Sequence, residues 1–387
     1  MDFDFTDEQE QFRAVVRDFA DAVVRPRAEE MDRAGELPLD IVKQMGELGL
    51  FGIPFPEEYG GQGADFTTFC IAVEELARVD SSIAITLEAA VGLGAGPISR
   101  FGTEEQKRTW LTPMCRGEML GAFGLTEPGA GSDAGATSTT ARLDDGEWII
   151  NGSKAFITNS GTGITGCVTV TAATGDGDRD GRKEISTIIV PAGTPGLEVG
   201  PSYRKVGWHA SDTHGLTLTD CRVPEANLLG DRGRGLAQFL TALDDGRVAV
   251  AALAVGLAQG CLDESIAYAR SRSAFGRPIA GYQAIQFKVA DMRVAVETAR
   301  LATYRAAWLR DRGRGVAAAA ALAKLYASEI AVSAAREAVQ IHGGYGYIEE
   351  LPVARFYRDA KILEIGEGTS EIMRMVLARD SGLSDTP

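Results

Sequence analysis

Three short stretches of the chain gather glycine beside groups that could do chemistry. In Ile365-Gly366-Glu367-Gly368-Thr369-Ser370-Glu371, glycine flanks a carboxylate on both sides. Without side chains at 366 and 368, a ligand can approach Glu367 closely. Thr369 or Ser370 can cap the apolar helix that follows. A carboxyl in a partly apolar pocket holds its proton more tightly, which suits proton abstraction near neutral pH. The plainer reading of an isolated Gly-Glu-Gly is a capping or solvated residue. A second stretch, Phe123 to Asp133, sets three glycines, a proline, two hydroxyls and two carboxylates directly after an apolar run. Such a turn brings backbone N–H groups close to a planar or anionic ligand, or is simply a tight structural turn. The third, Gln340-Ile341-His342-Gly343-Gly344-Tyr345-Gly346-Tyr347, ends a long helical pattern and by itself reads as a helix C-cap.

Other apparent motifs fail on their context. Gly161-Thr162-Gly163-Ile164-Thr165-Gly166 spells the dinucleotide GxGxxG, but a strand pattern follows where the fingerprint needs a helix. A loop between strands is expected. Asp176, Asp178, Asp180 and Gly181 imitate the opening of a calcium loop, yet the twelfth position is Thr187 rather than a bidentate Glu, so an exposed turn is expected. Three His residues (209, 214, 342), with no HExxH and no Cys pair nearby, argue against a metal site.

The elements that must position these groups fall into three blocks. The length of 387 residues suggests two or three domains and a sizeable core without disulfide or metal staples. Residues 1–119 read as helical, with a capping box at Thr6–Gln9 and periodic runs at 38–49, 65–78, 83–93 and 104–116. Residues 120–231 read as β structure, a small barrel or sandwich. Its strands are expected at 141–143, 148–150, 167–172, 185–190 and 216–219, with turns at Asp145-Gly146 and Asn151-Gly152. Residues 232–387 read as an antiparallel helical bundle, with helices at 248–270, 282–310, 317–342 and 370–379. The fold class is therefore α+β and multidomain: helices, then a β domain, then a four-helix bundle.

Charge and cysteine usage narrow the function. With 39 Lys and Arg against 54 Asp and Glu, the chain carries −15 at neutral pH, which argues against nucleic-acid binding. Five scattered Cys with no CxxC pair read as reduced, mostly buried thiols of a cytoplasmic protein. The N-terminus is acidic where a secretory signal is basic. The longest apolar run, Val248–Ala258, is too short to span a bilayer and reads as a buried core helix.

Taken together and in this order, the three glycine segments resemble the acyl-CoA dehydrogenase family of flavoenzymes, over almost the whole chain. Phe123–Asp133 is similar to the family's first signature. Gln340–Asp359, with Gly343, Gly344, Gly346, Glu350, Arg355 and Asp359, is similar to its second. The resemblance implies FAD held between the β domain and the C-terminal helices. It also implies oxidation of an acyl-CoA thioester across its α and β carbons, with hydride passing to flavin N5 and an electron-transfer flavoprotein as acceptor. Glu367 matches the base. Some relatives carry the base immediately before the present Arg247, but Gly246 stands there and cannot serve.

For the flavin, the resemblance implies Phe123, Leu125, Thr126, Gly131 and Ser132 on one side, with Phe156, Ile157 and Thr158 as a second wall. A Trp commonly stands where Phe156 does. Thr369 and Glu371 match cofactor-contacting positions beside the base. Relatives are usually homotetramers, and Arg272, Phe275, Gln283, Gln340, Gly343 and Gly344 match positions at which a neighbouring subunit holds the ADP half of FAD. Alone, Arg272 reads as a solvated helix-end cation. Ser132, Asp244, Arg247, Gly366, Gly368 and Arg379 match substrate-contacting positions, with Arg247 at the nucleotide end of CoA or, more simply, in a surface salt bridge. Gly366 stands where straight-chain relatives often have Tyr, which implies tolerance of short or branched acyl groups. Oxygen-using relatives on the same scaffold (an oxidase or a monooxygenase) and a non-catalytic acyl-CoA- or flavin-binding protein are the competing readings.

Overall fold

The structure, a computed structural model, describes residues 4–175 and 183–383. The calcium-like residues Asp176, Asp178, Asp180 and Gly181 lie outside the described residues. Helix α1 (Asp7–Phe19) opens on the expected capping box: the Gln9 amide donates to Thr6 Oγ1 at 3.2 Å, and the Thr6 amide donates to Gln9 Oε1 at 3.1 Å. Helices α2 (Phe66–Ala77) and α3 (Ser81–Glu88) are capped by Asp65 and Asp80, and almost every residue of both is buried. The run expected to end near 93 continues past Glu88 in wider π-type turns, Ala89–Ala95, and then as helix to Phe101. A Cβ on Gly94 would lie 2.5 Å from the Gly121 carbonyl oxygen, so glycine is what lets this segment touch the β domain.

The β domain holds β1 (Leu120–Gly124), β2 (Thr140–Asp144), β3 (Glu147–Thr158), β4 (Thr165–Gly175), β5 (Glu184–Pro191), β6 (Leu197–Ser202), β7 (Thr213–Pro224) and β8 (Leu228–Leu229). They join one sheet in the order β6-β7-β3-β2-β4-β5-β8, with β1 parallel to β4. Asp145 and Gly146, at φ 51° and 80°, make the expected hairpin turn between β2 and β3. Asn151-Gly152 is not a turn. Strand β3 runs straight through it with a register break against β7, and Asn151 pairs through its side chain with Asp220. Trp148, Ile150, Val168, Val170, Ile188, Leu216 and Leu218 fill this domain's own core.

The C-terminal block is built on α4 (Gly235–Ser271), which starts well before the expected residue 248. All of Val248–Ala258 is buried, because α4 packs against α2, α5 (Gln283–Asp311) and α6 (Ala317–His342) at once. Helices α7 (Pro352–Ala360) and α8 (Ser370–Asp380) complete the bundle. Two helical runs, Ser81–Phe101 and Ala317–Tyr347, are long and apolar enough to cross a membrane, and 83% and 50% of their apolar windows lie inside the fold. All five cysteines are free and buried.

One buried polar cluster ties the blocks together. Asp80 caps α3, with its carboxylate accepting from the Ser82 and Ile83 amides. Arg355 of α7 lies 3.3 Å from that carboxylate and donates to Val79 O at 3.0 Å. One turn on, Asp359 accepts from Ser81 Oγ and from the Trp208 amide of the β domain, both at 2.7 Å. Replacing Arg355 by Met leaves Asp80 buried beside no cation. The variant is expected to lose about 3–5 kcal/mol of stability in urea unfolding; a loss under 1 kcal/mol would show that the cluster does not hold the blocks together.

Candidate active site

Glu367 reaches its place through an unusual piece of backbone. The turn Lys361–Glu364 ends with the Ile365 and Gly366 amides both donating to Ile362 O, at 2.9 and 2.8 Å. Glu367 then adopts φ 54° and Gly368 φ 106°, before Thr369 accepts from the Ile372 amide and starts α8. A left-handed glutamate costs about 1–3 kcal/mol and persists only where its surroundings enforce it. This conformation turns the side chain inward. Both carboxyl oxygens are shielded from solvent, and the Glu88 carboxyl is the hydrogen-bonding group beside them. A Cβ on Gly246 would lie 2.1 Å from Glu367 Oε2, so positions 246 and 367 converge on one point in space and only one of them can carry a carboxylate there.

Three further ionisable groups face that point. Glu88, at the end of α3, is fully buried, and its carboxyl hydrogen-bonds that of Glu367. Burial, and then the adjacent Glu367 charge, push the Glu88 carboxyl well above its ordinary range. Burial also raises Glu367, while Glu88, Lys324 and Arg247 oppose that rise. Glu88 therefore keeps its proton and Glu367 gives it up first. Lys324 is fully buried on α6 and donates to Gly368 O at 2.6 Å. Arg247 is 7% exposed; it pairs with Asp244 at 2.7 Å and donates to Glu367 O at 3.4 Å. Its Nη1 is thus engaged by Asp244 and its Nε by the Glu367 carbonyl.

The first-signature turn is a rigid shelf. Glu127 and Ala130 exchange backbone hydrogen bonds at 3.0 and 3.1 Å. The Glu127 carboxylate is buried and accepts from Lys154 Nζ at 2.8 Å, the Ser138 amide at 2.7 Å and the Thr139 amide at 3.0 Å. Burial alone would raise its pKa, but these donors outweigh burial and hold it down to about 2. The Ala155 amide donates to Thr126 O at 2.9 Å, which brings the shelf beside β3. At the β3 register break Phe156 turns out with φ 61° and stands 66% exposed, its ring 5.2 Å from Tyr203.

Phe123 stacks on Phe239 of α4 with ring centroids 3.7 Å apart. Leu125 is buried, Thr126 and Thr158 are half-buried, and Gly131 and Ser132 are open to solvent. Ile157 packs into the sheet core, so only its backbone is available to a ligand. An exposed aromatic on strained backbone beside an open glycine turn fits a flat ring such as a flavin.

Arg272, Gly343 and Gly344 line a cavity of about 460 Å³ with Tyr268, His342 and Tyr345. At 1.5 Å per helical residue, Gly343 lies about 28 Å along α6 from Lys324, too far to share one small pocket with the base. Phe275 is 96% exposed at φ 51°, and Gln283 and Gln340 are exposed. Beside the base, Glu371 and Arg379 lie on the exposed side of α8, and Gly366 is half-buried. A Cβ on Gly366 would meet only Ile362 O, at 3.6 Å.

The GxGxxG-like run forms the expected loop. Gly161–Gly166 is the loop between β3 and β4, running into β4 at Thr165, and His214 Nε2 would lie 2.3 Å from a Cβ on Gly161. No metal-holding group of side chains occurs among the described residues. The three His residues serve polar packing, for example His342 stacked 4.2 Å from the Tyr268 ring. Glu88 and Lys324 were missed from sequence, although each is a lone charge in an apolar or Ala-rich helical run, a legible signal for a buried ionisable group.

The comparisons agree with this geometry. Family models for the acyl-CoA dehydrogenase N-terminal, middle and C-terminal domains match residues 6–118, 122–221 and 233–382. A probable acyl-CoA dehydrogenase of Bacillus subtilis is 53% identical, covering 98% of this chain and 99% of its own. Butyryl-CoA dehydrogenase of Megasphaera elsdenii superposes with a TM-score of 0.94 at 42% identity, over 98% of this chain and 100% of its own. A chain solved in work on the electron transferring flavoprotein of Acidaminococcus fermentans reaches a TM-score of 0.95 at 44% identity, over 98% and 99%. With all three domain models matched along its length, the chain belongs to the acyl-CoA dehydrogenase family of FAD-dependent oxidoreductases.

Proposed function

We propose that this chain dehydrogenates short-chain acyl-CoA thioesters to trans-2-enoyl thioesters, with Glu367 removing the α proton. The observation that carries the reading is the Glu367 carboxyl itself: buried, with no cation hydrogen-bonded to its oxygens, turned inward by left-handed backbone, and given its space by Gly246. Burial raises the basicity of this carboxylate and keeps water from competing for its proton. Glycine on either side lets the thioester chain approach within proton-transfer distance. FAD, when bound, accepts the hydride that leaves the β carbon. Phe123, Thr126, Gly131, Ser132, Phe156 and Thr158 would hold its ring, with Thr369 and Glu371 beside the base.

Self-assembly supports the remaining cofactor residues. Phe287, Val294, Leu301 and Trp308 are 58%, 66%, 54% and 44% exposed, and their seven-residue spacing puts them in one stripe along α5. A second copy covering this stripe can receive a dinucleotide tail in the Arg272–Gly343–Gly344 cavity that is remote from its own base. We assign the assembly as a homotetramer, the acceptor as an electron-transfer flavoprotein and the compartment as the cytoplasm, which the five reduced, buried thiols suit.

Glu367→Gln is expected to fold, bind flavin and lose at least a thousandfold in butyryl-CoA turnover; normal flavin bleaching by this variant under anaerobic titration would overturn the assignment. Glu88→Gln keeps a neutral donor beside the base, so the acid-side midpoint of the kcat/KM–pH curve should stay in place, whereas Glu88→Leu removes the donor and should move it upward by about one pH unit. A downward move in Glu88→Gln would mean that Glu88 is ionised in the native enzyme. The open space at Gly366 predicts turnover of isobutyryl- and 2-methylbutyryl-CoA. Gly366→Tyr should cut turnover of these branched substrates about tenfold more than that of butyryl-CoA, and a native enzyme active on octanoyl-CoA but on neither branched substrate would refute the inference.

A further inference from the structure

Lys324 has no role in the reading above, yet it is among the largest fully buried side chains of the protein. It sits on α6 within a run of alanines, where an ammonium has no solvation except what the fold supplies. Its Nζ lies 2.6 Å from Gly368 O, the carbonyl immediately after the base. From the other side Arg247 reaches the Glu367 carbonyl at 3.4 Å. The two consecutive left-handed residues therefore each present a carbonyl to a buried cation, and only one of those cations has a carboxylate partner outside the loop: Arg247 pairs with Asp244.

We propose that Lys324 is a positioning residue for the base, clamping the Gly368 carbonyl so that Glu367 stays turned inward and supplying the positive field that keeps its carboxyl ionised in a dry pocket. The proposal rests on Glu367 acting as the base. Groups facing Glu367 from the packed elements are Glu88 on α3, Arg247 on α4 and Lys324 on α6; Glu364 and Glu371, on either side of the loop, act on Lys324. Both cations act on Glu367, Lys324 the more strongly, and Arg247 also pairs with Asp244. The coupling is mutual: burial lowers Lys324 to about 8, and the Glu367 carboxylate is the leading influence in the opposite direction.

The test compares native holoenzyme with Lys324→Gln, which retains an N–H donor for Gly368 O but no charge, and with Lys324→Arg, which retains the charge. Without the cation, Glu367 holds its proton more tightly, so the acid-side midpoint of kcat/KM against pH should rise by about one unit in Lys324→Gln. Its butyryl-CoA turnover should fall about tenfold at pH 6 and recover most of the loss by pH 9, with KM changed less than threefold. Lys324→Arg should restore the native midpoint. The Glu367 carboxyl is then titrated by isotope-edited infrared spectroscopy in the protein without substrate, its band identified by loss in Glu367→Gln, and it should show the same upward shift. An unshifted band together with an unshifted midpoint in Lys324→Gln would overturn the proposal. A shifted band in an enzyme whose Glu367→Gln variant remained active would overturn the base assignment and leave the Lys324–Glu367 coupling standing.

Discussion

A carboxylate taken out of water with only another buried carboxyl to hydrogen-bond it is among the costlier things a fold can hold, and the elements around Glu367 are the means of holding it in that state. The cost is shared among several elements. Backbone strain at φ 54° is stabilised by capping on one side and by carbonyl contacts to Arg247 and Lys324 on the other. Charge is managed by a neutral carboxyl, Glu88, and by two cations, none of which lies near Glu367 in sequence. Four helices from both ends of the chain meet at one oxygen pair. That convergence explains why the long, alanine-rich α4 and α6 are buried to such an extent: small side chains let them approach the base loop closely.

The β domain solves a different problem. It must present a flat, rigid surface with open backbone, and a turn rich in glycine is floppy unless it is pinned. The Glu127–Lys154 pair does the pinning. A buried ion pair is weak evidence for stability in general, but here the carboxylate also accepts from two backbone amides and a hydroxyl, so its lone pairs are satisfied. The cluster of Asp80, Arg355, Asp359 and Trp208 does the same between blocks. It fixes the start of α3, the helix whose other end carries Glu88, relative to the β domain.

The three-block layout was legible in the sequence because the hydrophobic period changes from helical to alternating and back near 120 and 232. Glu367 was legible as a candidate base only through the family resemblance, because an isolated Gly-Glu-Gly reads as a capping or solvated residue. The Asn151-Gly152 turn was misread because that dipeptide is a strong local turn signal, while the partner that overrode it, Asp220 on β7, is 69 residues away. Arg247 was read either toward CoA or in a salt bridge, and the Asp244 pair that the structure shows could not be told from chain position alone. Glu88 and Lys324 were missed for a simpler reason: helical periodicity assigns a face to a charge, but only three-dimensional packing shows that the face has no solvent. The start of α4 was placed late because residues 235–247 mix Gly, Gln, Asp and Arg into the helix, and tertiary burial, rather than propensity, decides their state.

The glycines separate what the fold needs from what a ligand needs. At Gly94, Gly246 and Gly207 a Cβ would fall within 2.6 Å of backbone or a carboxylate, so the folded chain itself demands glycine there. At Gly129, Gly131 and Gly344 a Cβ would meet nothing within 4 Å, and the backbone is not left-handed. The fold has no use for glycine at these three positions. Gly315, in a surface turn, shows that an open glycine alone does not mark a site. What distinguishes the others is company: Gly129 and Gly131 lie on the pinned shelf bordered by an exposed, strained Phe156, and Gly344 lies in the Arg272 cavity. Glycine that packing does not explain, beside an exposed aromatic ring or an arginine-lined cavity, leaves backbone that a ligand can approach closely.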